Sequence, residues 1–506
     1  MEARVTMQYE STRGGVRGLP SAAAVWQGIA PDGGLFVPSA PITVDHNVLE
    51  AMITANYQER AAALLSPFLT DFSPEEILEC VRVAYTPAKF GTPAIAPVHK
   101  AGDRLYFLEL WHGPTCAFKD MALQLLPHLL TRAARKLGRH EEIVILVATS
   151  GDTGKAAMEG FRDVLGTRII VFYPEDGVSE IQKLQMVTQE GRNTAVVAVR
   201  GNFDDAQAGV KAIFGNAAFK EELQRKGYTF SSANSINWGR LVPQIVYYFS
   251  AYLDLCREKE IPCGEPVNFV VPTGNFGNIL AAYYARQMGL PVGRLILAAN
   301  ANNVLVDFIR TGVYDRRRHF FKTLSPSMDI LVSSNLERLL YDVTGRDADC
   351  VRNWMLSLNT SGRYEVDAAT RTAIANVFWA DFATDEETLA TIKETFEAFG
   401  YVIDTHTAVG KAVYEKYVAA TGDRTRTVIA ATASPFKFNA SVVRALCGAA
   451  AAAGKSEFEL LDILSAISGM PIPAALQHLD RRPVRHRLTV GKEGMLDAVR
   501  QLLNRR

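Results

Sequence analysis

The chain has 506 residues, with 54 Lys+Arg against 54 Asp+Glu; 48% of it is hydrophobic and 21% charged. Such a length covers about two to four domains, and the composition is that of a globular protein, which excludes a disordered or fibrous chain. Zero net charge removes the basic excess on which general nucleic-acid binding rests, so no nucleic-acid partner is expected.

Cys80, Cys116, Cys256, Cys263, Cys350 and Cys447 form no C-x-x-C pair and no cluster with histidine along the sequence. Neither structural zinc nor a disulfide framework is expected, and the thiols read as isolated, buried and reduced. The opening MEARVTMQYE leads into no apolar core, and no stretch reaches the ~18 consecutive apolar residues that span a bilayer. A soluble, cytoplasmic protein with no membrane partner is expected.

In chain order, residues 1–98 are turn-rich (STRGG, APDGGLFVP) with helical stretches at 47–66 and 74–84, and read as a separate N-terminal unit. Short apolar, β-branched runs then recur at Arg104–Leu110, Ile143–Ala148, Arg168–Tyr173, Thr194–Val199, Val267–Val271, Arg294–Ala299 and Thr427–Ala431. Many are followed by a loop and a helical pattern, which predicts an α/β fold with parallel sheets covered on both faces. Residues 121–137 show helical periodicity, with Pro127 expected to kink the helix or to sit near a break. The division expected is a smaller α/β region over 99–230 and a larger one over 231–506, with a helical insertion around 301–400. GAAAAAG at 448–454 reads as a short helix or linker, and the Arg-rich patches 316–319 and 481–487 as solvated helix ends.

Three strand–loop–helix junctions carry unusual residues at the carboxyl end of a strand, where open α/β sheets bind ligands. In ELWHGPTCAFKD, Lys119 stands at the mouth of a helix, with Asp120 suited to the N-cap. The helix dipole and partial burial both disfavour its charge, and a neutral amine is what carbonyl chemistry requires. In ATSGDTGKAA, Gly151 and Gly154 with Thr149, Ser150 and Thr153 make an anion-binding nest, at a spacing that does not match a P-loop. In VVPTGNFGN, Gly274 and Gly277 let successive N–H groups meet one phosphate, and no dinucleotide fingerprint is present. Two anion nests and an activated lysine suggest pyridoxal phosphate with an anionic substrate.

HGPTCAFKD, SGDTGKAA and PTGNFGN closely resemble the motifs of threonine synthases, fold-type-II pyridoxal-phosphate enzymes. So do the turns at Tyr9–Gly14 and Gly28–Pro38, and SSANSINWGR, SSNLERLLYD, DTHTAVG and ATASPFKF, all in family order from about residue 4 to 445. The resemblance implies two open, mostly parallel sheets plus an N-terminal domain of the long bacterial and fungal type. It implies that Lys119 carries the cofactor and shuttles protons, and that Gly274, Asn275, Phe276, Gly277 and Asn278 hold the cofactor phosphate. Thr432 would face the pyridine nitrogen. Asp152 departs from the wider fold type, where Asn commonly lies beside the cofactor's 3′ oxygen; it would face that oxygen, face the substrate amine or cap its helix.

For the family substrate, O-phospho-L-homoserine, Ser150 and Thr153 would hold the carboxylate. Asn237 and Arg240 would hold the phosphate, with Asn335 and Arg338 as a second patch. His112 and His406 are candidate proton carriers, although a lone histidine is more often structural. The implied reaction removes the γ-phosphate and adds water at Cβ to give L-threonine. A phospholyase stopping at 2-oxobutyrate would share every cofactor motif. A retired paralogue acting as a sensor is the reading from another class, against which the intact Lys119, Gly274, Gly277 and Thr432 stand. The chain is expected to be a monomer or a homodimer.

Overall fold

The computed structural model describes residues 6–149, 151–175 and 178–504. All seven expected strands form, and they divide between two sheets. The larger has six strands in the order Phe378–Phe382, Val292–Ala299, Val267–Pro272, Thr427–Ala431, Leu105–Glu109 and Val98–Lys100. Its pairs are parallel except the last, where Val98 lies opposite Leu108. The smaller sheet has five parallel strands in the order Leu488–Gly491, Thr194–Arg200, Thr167–Pro174, Glu142–Ala148 and Tyr228–Ser231. Val267–Pro272 is buried at every residue, as a parallel strand covered on both faces must be.

The N-terminal unit has a three-stranded antiparallel sheet, with Gln8–Ser11 between Leu19–Pro20 and Phe36–Pro38. The helical stretch at 47–66 forms two helices, His46–Ala51 and Tyr57–Leu65, the second opened by an Asn56–Glu59 capping box. Arg60, 1% exposed, bonds to Ser250 Oγ at 2.9 Å and Asp254 Oδ1 at 2.6 Å. It thereby fastens this unit to the 20-residue helix Trp238–Arg257, whose residues 238–255 are all buried. A charge so deep is tolerated only with such partners.

Two expectations need correction. The boundaries at 99 and 231 are not where the sheets divide: Leu105–Glu109 belongs to the larger sheet, and Leu488–Gly491 adds an edge to the smaller one. The region 301–400 is largely helical, but its strand Phe378–Phe382 is an edge of the larger sheet. The break expected near Pro127 is present: the 121–137 stretch divides into Lys119–Leu123 and Leu126–Lys136, with Pro127 in the first turn of the second segment, where its missing N–H costs nothing. Ala449–Ala452 forms the short helix expected there.

The cysteines are unpaired, yet only Cys80 and Cys116 are buried. Cys263 lies beside His46 and Glu50, with ligand atoms within 4.8 Å of one another, a proximity that their sequence separation hides. Among the described residues no helix is long and apolar enough to cross a membrane.

Candidate active site

Lys119 is presented by the turn that leaves Leu105–Glu109. Asp120 does not cap its helix; Phe118 occupies the cap position. The Asp120 carboxylate instead accepts bonds from the Thr115 amide and hydroxyl, both at 2.8 Å, and so closes the turn before the helix. This turn is fastened to the end of the neighbouring strand. The Phe118 amide donates to the Thr432 carbonyl at 2.8 Å, the Ser434 amide donates to Cys116 at 3.0 Å, and Ala117 bridges Ala433. The Lys119 side chain is 12% exposed, with Nζ 3.8 Å from Asp152 Oδ2 and 3.5 Å from Ser327 Oγ. Burial pushes its ammonium down to about 8, against the pull of Asp152 and with help from Lys437 and Arg240.

At the second junction Thr149 Oγ1 accepts from the amides of Gly151 and Gly154, both at 3.0 Å, and so shapes the loop before the helix Asp152–Phe161. Gly151 has φ 146°, a conformation that strains any other residue, and a Cβ there would stand 2.5 Å from the end of the Gln182 side chain, which would have to move. Ser150 lies outside the described residues. Thr153 is half-buried in the first helical turn. Asp152 makes no cap; it accepts from Gln182 Nε2 at 2.9 Å and Ser327 Oγ at 3.3 Å and pairs with Lys437 at 2.9 Å. Burial alone would raise this carboxyl, but Lys437 and Lys119 hold it well below the usual carboxylate range.

The GNFG loop turns from Val267–Pro272 into the helix Gly277–Gln287 through Phe276, which is left-handed at φ 63°. Its carbonyls are tied back: Gly274 accepts from Ser333 Oγ at 2.8 Å, and Asn275 from the Asn335 amide and side chain at 3.2 and 3.1 Å. The amides of Asn275, Phe276, Gly277 and Asn278 have no hydrogen-bond partner among the described residues. Free amides at a helix N-terminus form a phosphate cradle. The side chains of this loop play other parts. The Phe276 ring is buried against Phe378, Asn275 is exposed, and Asn278 Oδ1 accepts from the Tyr247 and Tyr248 hydroxyls at 2.6 and 2.5 Å. A Cβ at Gly274 would stand 3.0 Å from the Ser327 carbonyl, so the loop and the Ser327 segment need that glycine to lie together.

Of the two phosphate patches expected, Arg240 alone has a guanidinium nitrogen with no hydrogen-bond partner among the described residues. It is 3% exposed, gives one bond from Nη1 to the Ala233 carbonyl at 2.6 Å, and its buried Nε has no partner. Burial without a counter-anion pushes the guanidinium down to about 10. Asn237 is not a ligand-binding donor: Nδ2 bonds to the Val25 and Ser232 carbonyls and Oδ1 caps the helix at Gly239. Arg338 is likewise engaged, bonding to the Phe36 and Ile236 carbonyls and to Asn335, which itself braces Asn275. The partners of both come from distant segments of the chain, which the spacing of the sequence does not show.

His112 pairs with Glu109 at 2.6 Å and stacks on Trp111. His406 Nδ1 meets Asp404 at 2.8 Å, and Nε2 accepts the Ser327 amide at 3.2 Å, so it positions Ser327. Thr432 is 5% exposed at the end of its strand, and its hydroxyl has no hydrogen-bond partner among the described residues. Sequence reasoning missed Ser327 and Lys437. The latter's apolar flanks in SPFKF were a signal of burial, whereas SPSMD carries none.

These parts fit pyridoxal phosphate on the structure's own terms: a buried amine of lowered basicity, four free amides for a phosphate, and an unpartnered hydroxyl at an adjacent strand end. Matches to known families agree with that class. The family model "Pyridoxal-phosphate dependent enzyme" matches residues 85–383, "Threonine synthase N terminus" matches 8–85, and "Threonine synthase, C-terminal" matches 407–502. Threonine synthase of Pseudomonas aeruginosa is 40% identical over 458 residues, 88% of this chain and 92% of that protein. The crystal structure of pyridoxal-phosphate-bound threonine synthase from Brucella melitensis superposes with a TM-score of 0.87 at 36% identity, covering 98% of this chain and all of that one. Human "Threonine synthase-like 1" is 41% identical over 434 residues, 84% of this chain, which spans only 57% of that protein. The chain belongs to the threonine synthase family of pyridoxal-phosphate enzymes. The C-terminal match runs beyond residue 445, where recognisable motifs end.

Proposed function

We propose that the chain is a threonine synthase, converting O-phospho-L-homoserine and water to L-threonine and phosphate. The observation that carries this reading is Arg240: a buried guanidinium with an unpaired Nε, close enough to Lys119 to depress its basicity. Such a group calls for an anion brought by the substrate, and a guanidinium suits phosphate.

Bound pyridoxal phosphate supplies an electron sink for carbanions next to the substrate nitrogen. Lys119 would hold the cofactor at rest; once released, its amine would take the Cα proton, exchange it with solvent and later deliver a proton to that carbon. The free amides of Asn275–Asn278 would hold the cofactor phosphate, and the Thr432 hydroxyl would face the ring nitrogen. A neutral hydroxyl there, in place of a carboxylate, would do little to keep that nitrogen protonated. Asp152 and Ser327 face Lys119 and orient its amine. Thr153, in the first turn of a helix, receives the substrate carboxylate together with Ser150, and Arg240 receives the phosphate that departs from Cγ. Water must then add at Cβ before the unsaturated product escapes, which requires a site closed to bulk solvent.

A cytoplasmic location belongs to the same reading, and the unpaired thiols suit a reducing compartment. The test is turnover of O-phospho-L-homoserine with both products identified. One threonine per phosphate supports the reading; phosphate with 2-oxobutyrate alone would make the protein a phospholyase.

A further inference from the structure

Lys437 has no role in the family reading above, yet it is a fully enclosed charge near Lys119. Its side chain is 0% exposed, and Nζ lies 2.9 Å from Asp152 Oδ1 and 2.9 Å from the Thr115 carbonyl. It sits in the short helix Pro435–Phe438, directly after the strand end that is fastened to the Lys119 turn. A buried ammonium is stable only beside an anion, and the anion it meets is the one that Lys119 faces from the other carboxylate oxygen, at 3.8 Å. One carboxylate thus stands between two lysines and can balance one of them.

We propose that Lys437 is a positioning residue that acts through Asp152: it supplies the carboxylate's permanent counter-charge, so that Lys119 can become a neutral amine beside it. This rests on the reading of Lys119 as the lysine that carries the cofactor. To attack a carbonyl, a lysine must first give up its proton and with it its positive charge. Without Lys437 that step would leave Asp152 as an unbalanced charge in the interior, and the ammonium form of Lys119 would be favoured instead. With Lys437 in place the pair is neutral whatever Lys119 does. Four charged groups act on Lys119: Asp152, Lys437, Arg240 and Asp120. Arg240 has the sign of Lys437 but no bond to the carboxylate, and Asp120 is turned toward Thr115. The Asp152–Lys437 pair is therefore the adjustable element. It also accounts for an Asp where a neutral Asn is common in the fold type, because ion-paired Asp152 presents little net charge to the site.

The test measures Lys119 itself. In the full chain freed of cofactor, the rate at which 1-fluoro-2,4-dinitrobenzene modifies Lys119 is followed against pH, with the site located by peptide mass mapping. Wild type should show a midpoint at about 8. Lys437→Met should move it up by about one unit or more, Asp152→Asn should move it down, and the double variant should return close to wild type. If Lys437→Met fails to fold, the double variant, which buries neither charge, is compared with Asp152→Asn alone and should lie above it. Shifts of the two single variants in the same direction, or a double variant no different from Asp152→Asn, would overturn the proposal. No phosphohomoserine is used, so a wrong substrate assignment leaves this result unaffected.

Discussion

The Phe118 amide donates a 2.8 Å hydrogen bond to the Thr432 carbonyl, tying the residue before Lys119 to the residue whose hydroxyl stands free at the end of the adjacent strand. Lys119 and the Thr432 hydroxyl are thereby set at a fixed separation by backbone alone. Thr432→Val keeps the carbonyl and removes only the hydroxyl. It should retain the cofactor on Lys119 while kcat falls about tenfold, the worth of one hydrogen bond of about 1–1.5 kcal/mol. Loss of the cofactor in this variant would show that the side chain, and not the backbone tie, holds the site together.

Lys119 should be the residue fixed by borohydride reduction of the yellow holoenzyme. Its amine must be neutral to attack a carbonyl. Because burial lowers its basicity to about 8, the rate of cofactor reloading should rise with pH and level off above about 8. Peptide mapping that finds the reduced cofactor on another lysine would end the assignment.

Arg240→Met removes a buried guanidinium that holds one hydrogen bond in the free protein. Melting temperature should stay level or rise, since the desolvated charge has no anion to offset it. Cofactor content should be unchanged, whereas kcat/KM for O-phospho-L-homoserine should fall by about 10- to 150-fold, the equivalent of about 1.5–3 kcal/mol for a hydrogen bond to a charged group. A variant with normal kcat/KM would move the substrate phosphate elsewhere.

Gly277→Asp tests the amide cradle. A Cβ at Gly277 would meet Asn335 Nδ2 at 3.4 Å, ordinary contact, so the fold should survive. The added carboxylate stands at the helix N-terminus in competition with a phosphate. Pyridoxal-phosphate affinity, measured by absorbance titration, should drop at least about tenfold, or about 1.4 kcal/mol. Unchanged affinity would place the cofactor phosphate at another loop.

The strands of the two sheets were legible because parallel strands covered on both faces read as unbroken apolar runs. The glycine loops were legible because a chain approaching an anion by its backbone cannot carry side chains there. Leu488–Gly491 and Phe378–Phe382 escaped notice as edge strands, short and only partly apolar, set among helices. At the site, local pattern singled out Lys119 and the family resemblance pointed to Asp152, but neither showed what lies against them. Ser327 reaches Asp152 across 175 residues, and Lys437 reaches Thr115 across 322. Asn237 and Arg240 looked alike as polar residues before a helix. Only the fold reveals that Asn237 is held by Val25 and Ser232 while Arg240 keeps an unpaired nitrogen.

The central claim is that phosphate leaves Cγ and that water then adds at Cβ, with the chain controlling where protons return. Turnover of O-phospho-L-homoserine by the full chain in heavy water, followed by mass and NMR analysis of the amino acid, tests it most directly. The account predicts threonine with deuterium at Cα and in the methyl group, since Cα is reprotonated before release and Cγ becomes a methyl only by taking a proton after phosphate has gone. Deuterated 2-oxobutyrate in place of threonine would contradict it, as would threonine with no solvent deuterium in its methyl group.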